Sequence, residues 1–195
     1  MYSTYESVQK KVEAIFGFMM EGQEKALFNL VKSIPKNATI VEIGSLAGRS
    51  TASLGFASLG RGNVVYAVDV FESDLSHFRK ELPRDYFDVF LKNMHKNGLH
   101  ETVIPLRRRS EEVGASWGSA YGRKIDLLFI DGGHEYEQVR SDFDLFFPYV
   151  CPGGIVALHD IGEHWKGTWK LWNERKHLLK NVENVHSLYW GNKKT

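Results

Sequence analysis

The stretch Thr39-Ile-Val-Glu-Ile-Gly-Ser-Leu-Ala-Gly-Arg-Ser-Thr51 carries an apolar strand straight into a glycine-hinged turn and the start of a helix. That order makes a ligand cradle, because glycine adopts backbone conformations and allows close approaches that a Cβ blocks. From Glu42 through Gly44 to Gly48 the spacing is E-x-G-x-x-x-G. A dinucleotide fingerprint needs G-x-G-x-x-G, whose middle glycine lets a pyrophosphate sit on the helix N-terminus, and Leu46 stands at that place. Pyrophosphate, and with it an NAD-linked oxidoreductase, is disfavoured. Glu42 points the same way, since a carboxylate suits a cationic ligand and repels an anion.

Downstream, Asn63-Val-Val-Tyr-Ala-Val-Asp69 reads as a second strand. It ends in an acid about 20 residues past the glycine turn, where doubly wound folds hydrogen-bond ribose hydroxyls. Thr102–Leu106 makes a short third strand with irregular pairing expected at Pro105, Ile125–Ile130 a buried fourth, and Gly154–Leu158 a fifth. Between them lie helical patterns. Gly22–Ser33 carries a stripe of Ala26, Leu27, Leu30 and Val31 and is broken by Pro35 and Asn37. Another helix covers Ala52–Leu59, one starts at Pro83 with Tyr86, Phe87, Phe90, Leu91 and Met94 facing the core, and Ser110-Glu111-Glu112 opens a further one. Glu72–Glu81 is polar and its pattern assigns it no form. At the N-terminus, Val8, Val12, Ile15, Phe16 and Met19 recur at helical spacing and predict an amphipathic helix able to cover a site. Strand alternating with helix predicts an α/β fold: a mostly parallel sheet with helices on both faces, binding its ligand beyond the strands' carboxyl ends. Glu42, Asp69, Asp131 and Asp160 all fall at such ends.

The chain has 195 residues, 43% of them hydrophobic, enough for one full core and one domain. A formal charge of +1 gives no field that would draw nucleic acid, and Arg107-Arg108-Arg109 reads as a solvated strand edge. No apolar run reaches membrane-span length, and Glu6, Lys10, Lys11 and Glu13 stand where a signal peptide would be apolar, so a cytoplasmic protein without membrane contact is expected. Lone Cys151 excludes an intramolecular disulfide and reads as a small packed residue.

Glu42, Gly44, Gly48 and Asp69 together resemble the S-adenosylmethionine site of class I methyltransferases. The stretch from Ile125 to Asp160 sharpens the likeness. Its pattern of strand-Asp-Gly-x-His-x-Tyr, helix, Pro-Gly-Gly and strand-His-Asp resembles the small-molecule and sugar O-methyltransferases, some of which use a divalent metal. The resemblance implies a single-domain Rossmann-like fold with a seven-stranded sheet, residues 1–34 forming helices over the site and residues 35–195 the cofactor-binding core. It implies S-adenosylmethionine as cofactor and S-adenosylhomocysteine as product. Gly44 and Gly48 would flank the methionine and ribose, Glu42 would order the turn and face the amino end, and Asp69 would hold the ribose diol. Ser45, Ser50, Val70 and Asp131 complete that contact set. Ser110 and Glu111 would grip the adenine edge, although Arg109 stands where the family commonly places an acid. Glu21, Gly22 and Gln23, at a helix start, either meet the cofactor carboxylate or simply begin the helix.

Asp131 and Asp160 end neighbouring strands, so their carboxylates can converge with His159 or His134. Such oxygens suit Mg or Mn, which could lower the pKa of a bound hydroxyl, and an imidazole ligand at His159 would favour Mn²⁺, Fe²⁺ or Zn²⁺. The expected metal ligands are Asp131, His159 and Asp160. Metal-dependent relatives offer a carboxylate or amide at the place of His159, and the alternative is that Asp131 caps a helix and Asp160 a turn. His134, in the loop after the fourth strand, is the expected general base, with Asp131 beside it in the catalytic group. The competing reading has it bonding its own turn or stacking on Tyr136. Trp165, Trp169 and Trp172 wall a substrate pocket, fill the core or form a homodimer interface. Trp190 belongs to a last strand.

The expected activity is methyl transfer to a small-molecule hydroxyl, of a sugar or secondary metabolite. The alternatives are a nucleoside sensor without catalysis and a metal-assisted hydrolase or hydroxylase on the same scaffold.

Overall fold

The computed structural model describes residues 2–73, 80 and 82–195. Most of the polar Glu72–Glu81 segment, residues 74–79 and 81, lies outside them. Among the described residues seven strands form one sheet in the order β3-β2-β1-β4-β5-β7-β6. These are β1 Thr39–Ile43, β2 Val64–Asp69, β3 Val103–Arg107, β4 Ile125–Ile130, β5 Val150–Leu158, β6 Leu179–Val185 and β7 Leu188–Lys193. The first five run parallel, and β7 lies antiparallel between β5 and β6. This is the mostly parallel, seven-stranded Rossmann-like sheet expected from the sequence.

Helices α1 Gln9–Glu13, α2 Gln23–Ser33, α3 Arg49–Ser58 and α4 Phe87–Lys96 supply one core, and α5 Ser110–Ser116, α6 Tyr136–Phe146 and α7 Lys166–Arg175 the other. Both faces of the central strands are covered, so β1 and β4 lack a polar face. Ile40, Leu127 and Phe129 enter the first core, and Val41, Ile43, Leu128 and Ile130 the second. The small side chains of α3, among them Ala52, Ser53 and Ala57, are buried and bring that helix close against the sheet.

Several elements differ from the expectation. The first helix is short: a 3-10 turn at Tyr5–Ser7 and α1 bury Val8, Val12 and Ile15, after which residues 16–20 run as an irregular strap. Tertiary contacts override the local periodicity there. Arg49 packs against the Cα of Gly17 and donates to its carbonyl at 3.4 Å, while the Met20 amide donates to Gln23 Oε1 at 2.7 Å. Pro105 does not disturb its strand, pairing in register with Ala67, because β3 is an edge strand. The fourth helix starts at Phe87 rather than Pro83, and β5 begins at Val150 rather than Gly154. No helix among the described residues is long and apolar enough to cross a membrane.

Candidate active site

Strand connections leave β1 toward β2 on one side, while β4 and β5 lie on the other, so a crevice opens above the β1 and β4 carboxyl ends. A cavity of about 570 Å³ occupies it. From the first half of the chain Gly44, Ser45, Ser50, Asp69 and Val70 reach its wall, and from the second Ser110, Glu111, Asp131, His134, His159 and Asp160. Glu42 and Gly48 lie behind the wall. Phe16 to Met19 of the strap close one side. Arg108 and Arg109, expected as a solvated edge, are exposed side chains on the cavity rim, whereas Arg107 pairs with Asp85 at 2.6 Å.

The glycine turn is held from beneath. Glu42 is fully buried and its Oε2 accepts hydrogen bonds from Ser45 Oγ at 2.8 Å and from Thr51 Oγ1. Burial pushes its carboxyl up to about 7, against the pull of the hydroxyl donors around it. It orders the turn and does not face the cavity. Gly44, at φ 84°, has no room for a Cβ because the Asp131 carbonyl and Gly132 Cα of the β4 loop lie there. Its close approach is thus to the neighbouring loop. Gly48, at φ 94°, meets the Met94 methyl 2.6 Å from where its Cβ would be, a packing contact with α4. Asp69 accepts from the amides of Ser45 at 2.8 Å, Leu46 at 2.9 Å and Phe71 at 2.6 Å, and from the Tyr86 hydroxyl at 3.2 Å. Four donors fix this acid on the cavity wall, where a further hydroxyl could share its oxygens.

The β4 and β5 ends build a second cluster. His134 Nε2 lies 2.8 Å from Asp160 Oδ2, and the indole of Trp165 covers the imidazole at 4.2 Å between ring centres. Gly167 lets the start of α7 approach this loop closely, since a Cβ there would overlap the His134 carbonyl. His159 is buried behind, with Nδ1 2.9 Å from Asp131 Oδ1 and 3.4 Å from Asp160 Oδ1, and Nε2 2.9 Å from Gln23 Oε1. The Nδ1 contacts are electrostatic, no acceptor being aligned with that N–H. Burial opposes a charge on His159, but the Asp131 and Asp160 carboxylates overcome it and push its pKa up to about 10. Burial likewise works against Asp160, which His134 and His159 nevertheless hold well below the usual carboxylate range.

Among the described residues one group with metal-ligand character, Asp131, His134 and Asp160, has its ligand atoms within 4.8 Å of one another. The expected set held His159 in place of His134. Nε2 of His159 is committed to Gln23 Oε1, while Nδ1 faces the Asp131 and Asp160 carboxylates. A divalent metal on Asp131 and Asp160 would draw on the same Asp160 carboxylate that His134 contacts.

Three features were not read from the sequence as they stand. Gln23 serves His159 rather than an open helix start. Asp142 on α6 is 3% exposed yet reaches the cavity, and burial pushes its carboxyl up to about 6 despite a Ser110 contact. Its place one helical turn beyond the apolar Val139 was the available signal. Trp165 alone of the three tryptophans lies against His134, its ring tilted by 44°, while Trp172 is core against Tyr189 and Trp169 packs in the same core.

A family model described as a methyltransferase domain matches residues 41–161, from the glycine turn through the end of β5. The chain belongs to this methyltransferase family. Over 58 residues, 30% of its length, the methyltransferase is 34% identical to demethylmacrocin O-methyltransferase of Streptomyces fradiae. Aligned stretches span 8% to 18% of the length of the curated relatives it matches, and 13% of that enzyme. Its fold is similar to the O-methyltransferase TomG from Streptomyces achromogenes in complex with SAM, with TM-score 0.71 and 14% identity over 97% of this chain and 90% of that one. An O-methyltransferase from Bacillus cereus in complex with SAH gives TM-score 0.68 and 17% identity, covering 100% of this chain and 92% of the other.

Proposed function

We propose that this chain transfers the methyl group of S-adenosylmethionine to a hydroxyl oxygen of a small molecule, a sugar or secondary metabolite, with His134 as general base. The observation that carries the reading is the His134–Asp160 contact at the edge of the nucleoside cradle. Asp160 accepts from Nε2–H, which leaves the lone pair on Nδ1. The acceptor O–H gives its proton to Nδ1 as the oxygen attacks the methyl carbon in line. The S–CH₃ bond breaks, its electron pair stays on sulfur, and S-adenosylhomocysteine leaves. Asp160 stabilises the imidazolium that forms, and Trp165 holds the ring's orientation. No step passes through a metal.

Asp69, held on the wall by four donors, would share an oxygen with the ribose hydroxyls, and Ser45, Ser50, Val70, Ser110 and Glu111 would contact the rest of the nucleoside. The neighbours that carry SAM or SAH support this cofactor, and the Streptomyces fradiae relative, an O-methyltransferase by name, supports an oxygen as the methylated atom. The test is S-adenosylhomocysteine release with a panel of hydroxylated glycosides and aromatics, each run beside calorimetric binding of the cofactor. Cofactor binding with no turnover across the panel would favour the nucleoside-sensor alternative. No cofactor binding would overturn the proposal.

A further inference from the structure

Asp142 is a buried acid that the proposed methyl transfer does not use. It stands on α6, is 3% exposed, and yet forms part of the cavity wall. Its Oδ2 lies 3.3 Å from where a Cβ of Gly132 would be, so that glycine leaves the carboxyl uncovered, and its side-chain partner is the Ser110 hydroxyl at the start of α5. Among the described residues no cation acts on it, and the charged neighbour that does is another acid, Glu111. One hydroxyl does not offset the cost of burying a carboxyl away from any cation. The site wants a further donor, and the cavity is the side from which one can arrive.

The place of Asp142 along the cavity says what that donor is. The Arg108 amide donates to the Asp69 carbonyl at 3.1 Å, so the start of α5 follows directly on the acid at the β2 end. Strands β2 and β3 end on one side of β1, whereas β4 and β5, which carry the His134–Asp160 contact, end on the other. A nucleoside whose ribose meets Asp69 and whose sulfur faces His134 therefore points its base away from His134, toward Ser110 and Asp142. We infer that Asp142 reads the base of the cofactor, accepting a hydrogen bond from the exocyclic amine of adenine with Ser110 beside it. Arg108 and Arg109 on the rim carry only donors, and Glu111 is exposed, so water competes for its oxygens. An acceptor in a water-poor recess discriminates more sharply, because the wrong base leaves it unpaired. A purine with an oxo group in place of the amine brings one acceptor against another. The assignment rests on the proposed use of S-adenosylmethionine and adds to it a base-discriminating residue from α6.

The test is calorimetric titration of S-adenosylhomocysteine and of S-inosylhomocysteine, in which an oxo group replaces the amine, into the natural protein and Asp142→Asn. The natural protein should prefer the adenine compound by about 10- to 100-fold, the range that one hydrogen bond to a charged group commands. Asp142→Asn keeps the shape and offers an acceptor to an amine or a donor to an oxo group, so it should bring the two affinities to within about threefold of each other. A role confined to holding Ser110 or the β4 loop would lower both affinities together and leave their ratio as it was. An unchanged ratio in the variant would overturn the inference, as would a natural protein that binds the two compounds equally. If the natural protein binds neither, the methyl-transfer reading falls, and this assignment with it.

Discussion

His134 Nε2 and Asp160 Oδ2 stand 2.8 Å apart, joining the loop after β4 to the end of β5. Because the carboxylate fixes which imidazole nitrogen is basic, the two residues act as one unit. Replacing His134 by Ala, or Asp160 by Asn, should lower kcat by about 10²–10⁴-fold, while cofactor affinity stays within a factor of a few. S-adenosylhomocysteine production and calorimetry check the two halves. Full turnover of the His134 variant would remove it from the mechanism.

The buried His159 ties stability to pH. Its pKa is raised in the folded chain, so its contribution is complete below the ordinary histidine value and declines as pH climbs from there through about 10. Asp160 shifts the opposite way, and its contribution is present above the ordinary carboxylate value and lost as pH falls below it. A scan of Tm against pH should show His159→Gln costing more near pH 6 than near pH 9.5. An equal loss at both would contradict a charged ring.

Asp142 predicts a gain rather than a loss. With its carboxyl raised to about 6, stability is highest when it is protonated and falls as pH rises from the ordinary carboxylate value through 6. Asp142→Asn keeps the shape without the charge. It should be more stable than the natural protein at pH 8, by roughly 1–3 kcal/mol in denaturant titration, and lose that advantage near pH 4.

The two glycines of the turn should respond unequally. Gly44→Ala forces a Cβ into the backbone of the β4 loop as well as into a left-handed conformation, so it should separate β1 and β4 and abolish cofactor binding. Gly48→Ala meets chiefly the movable Met94 methyl and should cost about 1–2 kcal/mol, with binding retained. Circular dichroism melts and calorimetry on both would separate the cases.

Glu24 anchors the strap through Arg49, at 2.5 Å, with side chains only 4% and 21% exposed. Removing one partner leaves a largely buried charge. Glu24→Ala should destabilise by roughly 2–4 kcal/mol, just under the figure for a fully buried pair, and should expose residues 16–20 to limited proteolysis. Unchanged cleavage would show that other contacts hold the strap.

Hydrophobic patterning and punctuation by themselves determined the parallel half of this protein. The runs Thr39–Ile43 and Ile125–Ile130 are too apolar for a one-sided sheet, and Asp69, Asp131 and Asp160, at or just past the ends of three strands, were legible with His134 as a set at the sheet's carboxyl edge. Edge strand β6 escaped because its Lys180, Asn181, Glu183 and Asn184 are exposed and carry no periodic signal. Only the tertiary structure decided who partners whom. Gln23 and His159 meet across 136 positions, Gly44 yields to a loop rather than to a ligand, and residues 16–20 leave a helical pattern to follow Arg49 and Gln23. Periodicity reports which face of an element is buried. The charge on an imidazole depends on which side chains the packed strands and helices bring within 3 Å of it, and that is set by long-range geometry.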